Sequence, residues 1–77
     1  MKVKAKYEGR SNYMVIAENK EGNEVTATIH VTKNEKKFSR NVVEAFEMFT
    51  IQDCDISERE IVEAIQEITT IKIPKVF

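Results

Sequence analysis

Val25-Thr26-Ala27-Thr28-Ile29-His30-Val31-Thr32 alternates apolar and polar residues without a break. Side chains of a strand alternate between its faces, so Val25, Ala27, Ile29 and Val31 line one side and Thr26, Thr28, His30 and Thr32 the other. Lys2 to Tyr7 alternates in the same way, with Val3, Ala5 and Tyr7 on one face and Lys2, Lys4 and Lys6 on the other. Tyr13 to Glu18 differs, because it is apolar on both sides. Tyr13, Val15 and Ala17 match the packed faces of the other two strands, and Met14 and Ile16 point the opposite way. Turn chemistry separates the three runs: Glu8 to Asn12 holds Gly9, and Asn19 to Asn23 holds Gly22 between two asparagines. A meander built this way puts Met14 and Ile16 at the centre of a face otherwise made of lysine, threonine and histidine.

The period then changes. Past the polar run Lys33 to Lys37, the residues Phe38, Val42, Ala45, Phe46 and Phe49 recur at spacings of three and four, which predicts an amphipathic helix over about residues 39–50. Ser39 is the expected N-cap, with Asn34 as an earlier alternative. Ser57 followed by Glu60 forms a capping box, and Ile56 can staple to Ile61, so a second helix is expected over about residues 57–69. Ile61, Ala64, Ile65 and Ile68 make its expected buried stripe with Val62 at the edge, beside an acidic stripe of Glu60, Glu63 and Glu67. Ile71 to Phe77 alternates again, and Pro74 restricts it to a short edge strand or an extended tail. The expected fold is α+β, a three-stranded antiparallel meander followed by two helices packed on one face (βββαα). It forms one domain over residues 1–77, with the sheet at 2–32 and a tail at 70–77.

Composition adds bounds. A chain of 77 residues builds one two-layer core with a stability of only a few kcal/mol. No run of about 18 apolar residues is present, the amino terminus lacks the apolar core of a signal peptide, and Cys54 has no cysteine partner. These features point to a cytoplasmic protein with no membrane partner. The formal net charge of -1 is unevenly spread. Up to Arg40 there are nine basic and five acidic residues, net +4; from Asn41 on there are three and eight, net -5. Most such asymmetry is surface solvation, although it can also mark a nucleic-acid surface or self-association.

Candidate chemistry is sparse. Asp53-Cys54-Asp55 begins like a calcium loop, but Glu58 and Ala64 stand where that loop needs glycine and glutamate. His30 and Cys54 are the sole histidine and the sole cysteine. Two flanking aspartates disfavour the thiolate that a nucleophile requires, and one histidine with one cysteine falls short of a zinc site. No catalytic residue, metal or cofactor is expected, and the chain is read as a non-enzyme.

Two surfaces remain. Met14 and Ile16, rimmed by Thr28 and His30, either have the dry centre and polar edge of a protein interface or are covered by Ile71, Ile73, Val76 or Phe77 of a tail that folds back, and Glu60, Glu63 and Glu67 offer an acidic helix face. The expected function is therefore a small interaction module that binds another protein or a second copy of itself. Its size suits an accessory or inhibitor protein of a phage or mobile element. The alternative is nucleic-acid binding through Lys2, Lys4, Lys6, Arg10, Lys33, Lys36, Lys37 and Arg40, whose charges would neutralise phosphates. In element order alone, three strands and then a helix, the chain resembles the arm-type DNA-binding domains of phage integrases.

Overall fold

The computed structural model describes residues 3–69, so Lys2 and the expected edge strand or tail at 70–77 lie outside the described residues. Three strands, β1 (Val3–Gly9), β2 (Asn12–Glu18) and β3 (Glu24–His30), form an antiparallel sheet in the order β1-β2-β3. Two helices follow, α1 (Glu35–Ile51) and α2 (Glu58–Ile68). The architecture is the expected βββαα.

Turn chemistry explains the hairpins. Gly9 pairs with Asn12 across a two-residue loop, Arg10-Ser11, in which both residues have positive φ (53° and 63°). A two-residue loop between twisted strands favours that left-handed backbone, although neither side chain favours it. The ladder slips between Tyr7 and Gly9, and Glu8 occupies the irregularity. In the second turn Asn19 Oδ1 accepts from the N–H groups of Glu21 (3.0 Å) and Asn23 (2.9 Å), and Gly22 takes φ 85°.

The helices cap differently. Ser57 begins α2 as the sequence predicts: the Glu60 N–H donates to its Oγ (3.2 Å), and the Ser57 N–H donates to Glu60 Oε1 (2.9 Å). For α1 the expected start at Ser39 is corrected to Asn34, whose Oδ1 accepts from the Lys37 N–H at 3.0 Å. Glu35, Lys36 and Lys37 form an exposed first turn, so apolar periodicity begins one turn late, at buried Phe38. At its other end α1 closes in a Schellman motif. The Cys54 N–H donates to Phe49 O (2.9 Å), the Asp53 N–H donates to Thr50 O (3.1 Å), and Asp53 takes φ 63°.

Both helices lie on one face of the sheet, α1 over β3 and α2 mainly over β1. Val3, Tyr13, Val15, Ala17 and Ile29 meet Phe38, Val42, Ala45, Phe49, Ile61, Val62 and Ile65 in the core. Each large side chain buried there contributes about 1.5–3 kcal/mol. Ile68 is a correction to the expected stripe, because it is 44% exposed and Val62 is buried instead. Ile68 shares the arc of Ala64 and Ile65 but is the last residue of α2, and just beyond it the Tyr13 hydroxyl donates to Thr69 Oγ1 at 2.7 Å. The expected strand end at Thr32 also shortens to His30, although the Val31 N–H still donates to Ser11 O (2.8 Å).

Candidate interaction surface

Strand register decides what shares the face opposite the helices. Lys6, Met14 and Thr28 lie in one row across the sheet, and Lys4, Ile16 and Thr26 lie in the next. Val15, between Met14 and Ile16, is fully buried on the helix side, so its two neighbours face away from the core. Both are half-buried by the long and branched side chains around them, while Lys4, Lys6, Thr26, Thr28 and His30 are exposed. The result is a two-residue apolar centre with a polar rim.

The rim is hydrogen-bonded. Glu8 reaches across β2, where its Oε1 accepts from the Thr28 hydroxyl at 3.2 Å. His30 Nδ1 lies 3.1 Å from Asn12 Oδ1, the contact its Nδ1–H tautomer makes with an amide oxygen. At the far end, Lys4 and Ile16 border a shallow concavity shared with Glu18, Lys20, Glu24 and Asp55. Lys4 and Lys6 therefore share the described face with Glu8, Glu18 and Glu24, which leaves it without a basic excess.

The remaining cations gather elsewhere. Arg10 sits in the β1–β2 turn, beside the Ser11 carbonyl that holds Val31, and Lys33 follows two residues later. Lys37 and Arg40 line a concavity with His30 and Thr32, and Lys36 is exposed on the same first turn of α1. The structure thus separates the expected cation set: Lys4 and Lys6 lie on the sheet face, and Arg10, Lys33, Lys36, Lys37 and Arg40 lie at the hairpin end. On α2, Glu60, Glu63 and Glu67 are all exposed, and one carboxylate oxygen of Glu60 is engaged in the capping box.

His30 and Cys54 stand at opposite ends of the molecule. His30 pairs with Asn12 at the end of β3, whereas the loop holding Cys54 is bonded to the β2–β3 turn through the Lys20 N–H and Asp53 O (3.1 Å). The seven residues of β3 separate those ends by about 20 Å. Burial, and after it the Asp53 carboxylate, push the Cys54 thiol above its ordinary pKa and keep it protonated. Among the described residues no group of three or more His, Cys, Asp and Glu side chains is arranged to hold a metal ion, and no helix is long and apolar enough to cross a membrane.

Three exposed apolar side chains escape the sequence reading. Tyr7 is 54% exposed, with its ring 5.1 Å from that of Tyr13, and it lies at the same end of the sheet as Ile68; Ile51 is 76% exposed at the end of α1. Helical phase offers a signal for Ile51, since it lies roughly 200° around the helix from Phe49. No family model matches the chain, and neither a curated protein nor a solved structure matches it.

Proposed function

We propose that the protein is a non-enzymatic interaction module that binds another protein, or a second copy of itself, through the sheet face opposite the helices. Its size suits an accessory or inhibitor protein of a phage or mobile element. The observation that carries this reading is the placement of Met14 and Ile16 at the centre of that face, ringed by Lys4, Lys6, Thr26 and Thr28. A small domain gains nothing for its own core from apolar side chains that face away from it, whereas an interface needs a centre that dehydrates easily within a polar rim. The test is Ile16→Asp, compared with the wild type in solution mass and in retention of a bound partner. The reading expects assembly or retention to be lost while the far-UV circular dichroism is unchanged. Equal binding by the two proteins would refute it.

Nucleic-acid binding is a second reading, favoured by the cation group at the hairpin end rather than by the sheet face. Lys37 and Arg40 beside His30 and Thr32 offer charge and short hydrogen-bonding groups to a phosphate backbone. That reading expects binding to duplex DNA at low ionic strength that weakens steeply with added salt and is lost in the Lys37→Glu, Arg40→Glu double variant. A flat salt response would reject it.

A further inference from the structure

Among the described residues β3 is an edge strand. The bonds from the Val31 N–H to Ser11 O and from the Asn19 N–H to Asn23 O bracket its ladder with β2. Antiparallel neighbours alternate between bonded and non-bonded pairs, so Val25, Ala27 and Ile29 direct their main-chain groups to β2. Glu24, Thr26, Thr28 and His30 turn theirs outward, and of these the His30 carbonyl already accepts from Asn41 Nδ2 of α1 at 3.0 Å, so among the described residues the open part of the edge is Glu24 to Thr28 and the His30 N–H. Natural edges are usually blunted by lysine, proline or a bulge. β1 carries Lys4, Lys6 and an irregular register, and β3 carries none of the three. A concavity runs along this edge, with Ala27, Thr28, His30, Asn41, Glu44 and Met48 among its walls, so α1 touches the edge at His30 through Asn41 and leaves the stretch before it uncovered.

The strand's own sequence indicates what would pair there. Read outward from Ala27 in either direction, β3 repeats its chemistry: Thr26 and Thr28, then Val25 and Ile29, then the opposite polar ends Glu24 and His30. A two-fold contact uses the same patch on both subunits and requires this kind of self-complementarity. We infer that β3 pairs antiparallel with β3 of a second copy about a two-fold axis at Ala27, joining the two sheets into one of six strands. Thr26 then meets Thr28 of the second copy, the Glu24 carboxylate meets the His30 imidazole, and Val25 meets Ile29 on the helix-bearing face. Each is a cross-strand pair of a stabilising kind. The register is tightly set. Sliding by two residues removes both Glu24–His30 pairs and shortens the ladder, and sliding by one puts threonine opposite the apolar set. This inference does not rest on the outer-face reading.

The experiment is sedimentation velocity on the full chain with two sets of variants. The wild type is expected to be a dimer. Thr28→Pro removes an N–H that points to the open edge and leaves the β2–β3 ladder intact, so it is expected to be a monomer with unchanged circular dichroism. In a Cys54→Ala background, Ala27→Cys faces its own counterpart across the axis and is expected to form an inter-chain disulfide at least about tenfold faster than Thr26→Cys, whose counterpart is displaced along the strand. Ile16→Asp is expected to leave the Ala27→Cys crosslink between chains in place even where it lowers solution mass or partner retention through the outer face, which separates the two contacts. A wild type that stays monomeric up to about 1 mM overturns the inference. So does a Thr28→Pro dimer, or equal crosslinking at positions 26 and 27.

Discussion

Asp53→Gly is expected to stabilise the protein, although it removes a charged residue from a polar loop. Asp53 occupies the left-handed position of the Schellman motif that ends α1, at φ 63°. A side chain with a Cβ in that conformation costs about 1–2 kcal/mol, which glycine avoids. The carboxylate also sits at the negative end of the helix macrodipole, where an exposed anion costs about 0.3–1 kcal/mol at low salt. Against these gains, glycine adds about 0.4–1 kcal/mol of chain entropy to the unfolded state. The balance is a stabilisation of about 1 kcal/mol, or roughly 4–8 °C in Tm for a domain of this size. Urea unfolding followed by circular dichroism at low ionic strength measures it. Asp53→Ala serves as the control, because it loses the charge and keeps the Cβ. It should recover only the dipole part, and that part should fade in salt. If the glycine variant is no more stable than the alanine variant, the assignment of strain to the backbone is refuted.

The first hairpin makes a parallel prediction. Arg10→Asn with Ser11→Gly supplies the residues that a two-residue left-handed loop favours, and it should raise stability by about 1 kcal/mol in the same urea assay; a loss would contradict the loop geometry. Cys54 should resist alkylation in the folded protein and react once it unfolds. Its folded pKa lies above that of an exposed thiol, so it has no effect on stability below the range where exposed thiols ionise, and stability falls as pH rises through that range. The stability difference between wild type and Cys54→Ala should therefore be constant from about pH 6 to 8 and shift against the wild type above about pH 9. A difference that is flat across the whole range would show that burial does not hold the thiol protonated.

Local signals made the sheet and α2 legible in the sequence. The alternation of Val25 to Thr32 and the Ser57–Glu60 box each depend on residues close together in the chain, and the structure places the box as read and the strand as far as His30. The start of α1 was less legible, because Glu35, Lys36 and Lys37 are helical without being apolar, and periodicity alone sees only what is buried. Ile68 misled because its spacing suits the buried stripe, while as the last residue of α2 it is 44% exposed. The outward placement of Met14 and Ile16 could be read once β2 was put in the middle of the sheet. The same alternation puts Glu8 with Lys4 and Lys6, Glu18 with Ile16, and Glu24 with Thr26 on that face, whereas the bond from the Thr28 hydroxyl to Glu8 joins residues twenty positions apart and could not be read.

Methionine methyl NMR tests the outer-face claim most directly. Met14 reports on the face opposite the helices, and Met48, half-buried on α1 beside the open edge of β3, reports on the other side of the sheet. With methyl-labelled protein titrated by a partner that the wild type retains, the Met14 resonance should shift or broaden to saturation in step with binding. A complex that saturates while Met14 stays where it was in the free protein would contradict the account.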